Sequence, residues 1–412
     1  MLRSLYRKYI IHSTIIRGSF WLGSEKIFLA AKGLILSLLL ANLIQKDVYG
    51  GYQYLLALVS FFGVFAVPGM GTAIVRALAH NRPGTYAQAL RAIITWSIIG
   101  SIGLLILAIY NVITKQAALN PSLLALAIIF PLLNIAPTWR YVYLGKEKYA
   151  TISKITFLME GLTFFTTIIA IYFFPEIHWL LLGSLGVNVI ASLVVISPLL
   201  RESIESHKKS DDDIVYGKNL SISYGVVTAS GFIDKILIGH FLGFTDVALY
   251  SVALMIPEQL RSILSVSNTV LLPHFSKSKN TATTKMTILR MMGWACFGLT
   301  VCTGIYILVS PFIFRIFFPN YVNAIHYNQV LAIGIIFVPL QVLDSFFRGQ
   351  RSEHMILRST TATSIGSFIL AIILIPFFGL WGAVITRIGA AMINGLVLLG
   401  LFIYDKRALT KP

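Results

Sequence analysis

Residues 231–261, GFIDKILIGHFLGFTDVALYSVALMIPEQLR, read as two long apolar helices joined by a tight turn at Gly243–Asp246. Asp234, Lys235, Glu258 and Arg261 are embedded in that apolar sequence. Charges placed so deep in apolar helices persist where they face protein or a water-filled cavity rather than lipid. The stretch therefore predicts membrane-spanning helices with a polar interior.

The rest of the chain agrees. Its 412 residues are 57% hydrophobic and only 12% charged, with a mean hydropathy of +0.80, whereas an ordinary soluble domain is about 25% charged. A spanning helix needs about 20 predominantly apolar residues. Hydropathy, broken at polar clusters, predicts spans at 20–43, 49–69, 88–110, 122–144, 152–174, 178–200, 219–242, 247–271, 287–309, 325–347, 357–378 and 380–403. Twelve spans put both termini on one side of a membrane.

Sorting the 33 Lys and Arg residues by connection tests that topology. It assigns 25 to the side of the termini, counting Arg91, Arg140, Lys154, Arg290 and Arg358, each within about one turn of a span end, with the adjoining loop; it leaves Lys46, Lys115 and Arg315 on the other side, and keeps Lys26, Lys32, Lys235, Arg261 and Arg387 within spans. The excess of positive charge in cytoplasmic loops then predicts a multi-pass membrane protein with both termini cytoplasmic. The formal charge of +17 is thus mostly orientation, and no nucleic-acid partner is expected. Arg76, Arg82, Arg91, Arg140, Lys146 and Lys148 fall among these cytoplasmic charges, as topology and anionic-lipid determinants. The basic N-terminus has no compact apolar core followed by a small-residue cleavage site, so it is read as a short helix on an anionic leaflet rather than a removable signal peptide.

Catalytic signals are missing from the sequence. Cys296 and Cys302 lie six apart in one apolar segment, on different sides of a helix, and form neither a disulfide framework nor a metal site. His178 and His240 are isolated, and no HExxH pattern or Gly-rich phosphate loop occurs. The expectation is no catalytic residue, no metal, no cofactor and no enzyme activity.

One hydrophilic connection, 201–218, RESIESHKKSDDDIVYGK, falls halfway along the chain. It reads as a cytoplasmic linker between an N-terminal six-helix lobe, 1–200, and a C-terminal six-helix lobe, 219–412. The halves echo each other. Ile128-Ile-Phe-Pro131, Gly145 and Pro175 return as Ile335-Ile-Phe-Val-Pro339, Gly349 and Pro376, and LANLIQKDVYGGY ending at Tyr52 returns as IGHFLGFTDVALY ending at Tyr250. Six helices per half make a parallel repeat, which is expected to build a central cavity.

These residues carry a family resemblance. FIDKILIGHFLGFTDVALYSVALMIPEQLRSI, then LLPHFSK at Leu271–Lys277 and IPFFGLWGAVITRIGAA at Ile375–Ala391, resemble the polysaccharide transporters, or lipid-linked oligosaccharide (O-antigen-type) flippases, of the multidrug/oligosaccharidyl-lipid/polysaccharide (MOP) exporter superfamily. LLANLIQKDVYGGYQYLLAL and VPGMGTAIVRALA at Val67–Ala79 extend it through the first half. The resemblance implies an all-α, MATE-like membrane fold of two pseudo-symmetric six-helix bundles that alternate access. It implies transport of an undecaprenyl-pyrophosphate-linked oligosaccharide, an O-antigen or capsular or exopolysaccharide repeat unit. H+ or Na+ coupling and contact with glycan polymerase machinery are left open. Similar peptidoglycan-precursor flippases usually carry fourteen helices, and the twelve spans here set the expectation against that role.

Within the spans the substrate-binding candidates are Lys32, Lys235, Arg261 and Arg387, cations suited to a pyrophosphate or acidic sugar in a low dielectric. Glu25, Glu160, Asp234 and Glu258 are coupling or pairing acids, with Glu258 and Arg261 at an i,i+3 spacing that permits an ion pair. Asp234 and Lys235 are adjacent, so their side chains diverge around the helix. Lys26 is a snorkelling residue, and Asp344 lies at an inner boundary. The same charges also fit a purely structural role, locking helices together. The competing functions are a cation-coupled drug or metabolite exporter, which would favour acids, and a membrane enzyme of glycan assembly, which would favour larger outward loops than the short ones here.

Overall fold

A computed structural model gives the three-dimensional arrangement. It describes residues 2–113, 119–206, 208–277, 282–343, 347 and 353–404. Asp344, Gly349 and Lys115, used in the sequence reading, lie outside them. The described residues are almost all helical, with no strand among them.

In chain order the helices are α1 (Leu2–Leu43), α2 (Lys46–Phe62), α3 (Met70–Ala79), α4 (Thr85–Ile113), α5 (Asn120–Ile135), α6 (Thr138–Gly145), α7 (Tyr149–Phe173), α8 (Ile177–Leu181), α9 (Val187–Glu205), α10 (Asp211–Phe241), α11 (Phe244–Lys277), α12 (Ala282–Phe317), α13 (Ile325–Ile333), α14 (Glu353–Phe378) and α15 (Leu380–Tyr404). Eleven segments among the described residues are long and apolar enough to cross a membrane. The 34-residue α11 occupies the position of the twelfth expected span. Each expected span falls on one of these segments, because hydropathy and length are properties of the chain itself.

Connections are where the structure adds most. Residues 201–218, read as a linker, are largely helical: α9 continues to Glu205 and α10 begins at Asp211. Three acids, Asp211, Asp212 and Asp213, occupy the first turn of α10, where carboxylates complement the helix dipole. The segment after α2 contains the extra short helix α3, whose Met70, Ala73, Ile74 and Ala77 are fully buried. Ser221 on α10 receives a hydrogen bond from the Gly69 N–H at the start of α3, 2.9 Å. Arg76 on α3 pairs with Asp213 at 3.0 Å and Arg82 pairs with it at 3.4 Å. Both arginines therefore have a structural role as well as the topological one expected of them.

The contacts divide the chain into two compact units, Met1–Leu36 with Leu58–Thr228, and Ser37–Ala57 with Ala229–Pro412. In the first unit α4 packs along α5 and α3 against α6, around a core that includes Met70, Ile74, Tyr86, Leu90, Trp139 and Ile152. Residues 182–186 form one π-helical turn between α8 and α9, and Thr166 donates to the Gly183 carbonyl there at 2.7 Å. In the second unit α14 packs along α15, and α11 against α13. The expected turn between α10 and α11 is present, with Gly243 at φ +102°, a left-handed conformation that favours glycine.

Candidate functional site

The intramembrane charges gather into clusters within each unit. In the first unit, the Lys32 ammonium on α1 meets Glu160 on α7 at 2.6 Å and donates to Thr163 at 2.5 Å. Asn188 on α9 donates to the second Glu160 oxygen at 3.4 Å. Lys32 is 13% exposed and Glu160 27%. Nearer the start of α1, buried Glu25 accepts from Arg140 on α6 at 2.5 Å and from the Ser153 hydroxyl on α7 at 3.2 Å. Both sets are balanced, one acid against one base. A low dielectric makes such pairs hard to break singly, since an unpartnered buried charge is far costlier than a paired one.

The second unit is built differently. Asp234 on α10 is buried, accepts from the Tyr250 hydroxyl on α11 at 2.7 Å, and lies 3.4 Å from the Arg387 guanidinium on α15. That guanidinium also donates to the Gly231 carbonyl at 3.0 Å and makes a short contact with Glu258 on α11. One arginine thus holds both carboxylates, which its planar fork of donors allows. Lys235 points elsewhere and donates to the side-chain oxygen of Gln53 on α2 at 3.0 Å. Arg261 has no carboxylate within ion-pair distance among the described residues, although it feels the opposing charges of Glu258 and Arg387.

Three cations therefore face two acids, and the surplus falls on Lys235 and Arg261. Glu258, Arg261 and Arg387 line a crevice completed by Leu254, Pro257 and Gly334. One wall is the 3-10 segment Gly334–Gln341, which at eight residues is long for that geometry. A Cβ built on Gly334 meets nothing within 4 Å, so the backbone there borders open space.

The sequence candidates are brought together as Lys32 with Glu160, and as Asp234, Lys235, Glu258, Arg261 and Arg387 in the second unit. Two expectations change. Glu258 pairs with Arg387 rather than with Arg261, and Arg140, read as a loop charge, is the partner of Glu25. Divergence of Asp234 and Lys235 is observed, and Lys26 is exposed. Gln53, Tyr250, Thr163 and Asn188 were missed because only charged residues were ranked within the spans. Gln53 in an otherwise apolar stretch is the signal that could have found one of them.

The polysaccharide biosynthesis protein family matches residues 15–279. Among solved structures, the lipid II flippase MurJ in an inward closed conformation superposes with a TM-score of 0.66 at 15% identity, covering 92% of this chain and 87% of that one. The MATE multidrug transporter DinF-BH gives 0.65 at 14% identity, covering 97% of each chain. A MOP superfamily transporter from Pyrococcus furiosus, described as having a binding pocket of reverse polarity, gives 0.60 at 15% identity over 97% and 96%. These likenesses establish a MATE-like fold. No curated protein matches the sequence at a significant level.

Proposed function

The chain belongs to the polysaccharide biosynthesis protein family, and from that membership we propose that it is a flippase carrying an undecaprenyl-pyrophosphate-linked oligosaccharide across the bacterial inner membrane by alternating access. Both termini lie in the cytoplasm, as the distribution of Lys and Arg supports. The observation that carries the substrate class is the surplus of cations in the second unit. With Asp234 and Glu258 both drawn to Arg387, the Lys235 and Arg261 side chains are left to receive an anion, and phosphate oxygens form charge-assisted hydrogen bonds with both side-chain types. Arg387 is the organiser that takes up the acids, and Lys32 is held by Glu160.

The alternative of a cation-coupled drug exporter needs an acid open to a cationic ligand. Glu25, Glu160, Asp234 and Glu258 each have a cation against them instead. A coupling H+ or Na+ would have to compete with Lys32, Arg140 or Arg387 for its carboxylate, which makes those contacts the places to look for coupling. Glycan polymerase machinery is a downstream partner only in the sense that it consumes the translocated lipid-linked unit.

Deletion and complementation test the reading. Loss of surface polysaccharide, with lipid-linked intermediate accumulating in the cytoplasmic leaflet and both restored by the complementing chain, is the expected result. Unchanged surface glycan with sensitivity to cationic dyes would overturn it in favour of drug export.

A further inference from the structure

Segment Ser37–Ala57 lies wholly within the second compact unit, and α2 is fastened there along one face. Thr245 at the start of α11 donates to Asp47. A Cβ on Gly50 would lie 1.8 Å from the Phe244 carbonyl oxygen, so the two backbones touch. The Tyr54 ring packs on the Phe244 ring with centroids 5.3 Å apart. Positions three and four apart share a helix face, and Gln53 continues this face toward the charge cluster, where its oxygen accepts from Lys235. Asp47, Gly50 and Tyr54 all contact the start of α11; Gln53 alone of the four contacts a charged member of the cluster.

That contact joins a neutral amide to an ammonium group with no carboxylate at ion-pair distance among the described residues. A diphosphate offers the same ammonium a formal negative charge, and charge-assisted bonds of that kind are stronger than bonds to a neutral acceptor. We propose that the Gln53–Lys235 hydrogen bond is a fastener released by substrate: a diphosphate oxygen that reaches Lys235 draws the ammonium off the Gln53 amide and loosens α2 from α10. The inference rests on the diphosphate reading of the cluster. It supplies what any ligand-driven change requires, a difference in affinity between the fastened and released states. Gln53 is a positioning residue here, acting on the ligand through Lys235.

The test uses the full chain in phosphatidylcholine vesicles, with or without a polyprenyl diphosphate. In a chain carrying Cys296→Ala and Cys302→Ala, a Tyr54→Cys and Gly239→Cys pair, set across the α2–α10 contact, reports how closely α2 is held to α10, through its rate of disulfide trapping. With Gln53 present, the lipid slows trapping several-fold. Gln53→Glu gives Lys235 a carboxylate and traps at the fast rate with or without lipid; Gln53→Leu traps slowly from the start. The fastener is overturned if Gln53→Glu responds to the lipid as strongly as Gln53, or if Gln53→Leu traps as fast as the lipid-free parent. Lipid binding is followed in parallel by the melting temperature of the parent. A melting shift with unchanged trapping rejects the fastener and leaves the diphosphate site standing, whereas no shift rejects both.

Discussion

Glu258 closes its ion pair on Arg387, 129 residues further along the chain, although Arg261 is one turn away on the same helix. The helical spacing permits the local pair, but Arg387 enters with a guanidinium that also reaches Asp234 and the Gly231 carbonyl. One guanidinium thus serves two carboxylates and a carbonyl at once, which its planar fork of donors allows. Arg261 and Lys235 are left as two cations with no carboxylate at ion-pair distance among the described residues.

Arg387→Ala removes the shared partner of Asp234 and Glu258, so it should destabilise the fold and lower membrane abundance. Asp234 is buried and Glu258 is half-exposed, which sets the loss near the lower end for a broken buried pair, about 3 kcal/mol. Adding Asp234→Asn and Glu258→Gln to the same chain should recover much of it. Thermal melting in detergent measures both, and an unchanged melting temperature in Arg387→Ala would contradict the organising role.

Lys235→Ala and Arg261→Ala should behave oppositely. Neither strands a carboxylate, so abundance and melting temperature stay above those of Arg387→Ala, with Lys235→Ala losing only its bond to Gln53, while glycan export falls. A lost hydrogen bond to a charged group is worth about 1.5–3 kcal/mol, roughly tenfold to a hundredfold in affinity. Parallel loss of abundance and export in both variants would favour helix locking as their role.

Lys32 is a paired cation, and its substitution should show it. Lys32→Ala leaves Glu160 with Thr163 and Asn188 but no counter-charge, at a cost of about 1–3 kcal/mol for the uncompensated group. Membrane abundance should fall and export with it, and Glu160→Gln in the same chain should restore both. If export stays low after abundance has recovered, Lys32 contacts substrate as well.

Two glycines separate packing from access. Gly50→Val should block the approach of α2 to Phe244 and reduce stability, because the new side chain meets backbone that cannot move aside. Gly334→Leu projects into open space at the crevice beside Arg261, so it should keep the melting temperature and abolish export. Melting and export assays on the two proteins should give these opposite patterns.

Hydropathy and the glycine at 243 are properties of the chain read locally, and they sufficed to predict the spanning helices and the α10–α11 turn. The short helix α3 was less legible because its ten residues are too few to register as a span and its apolar face is buried within the first unit. Which residues carry charge inside the spans was also plain, since Lys32, Asp234 or Arg387 stands out in any apolar context. Their partners were decided only in three dimensions. Arg140 reaches Glu25 across 115 positions, Lys32 reaches Glu160 across 128, and Lys235 reaches Gln53 across 182. A single sequence records how polar each residue is but not which helices pack together, and the energy of a buried charge depends on the groups that packing sets within about 4 Å of it.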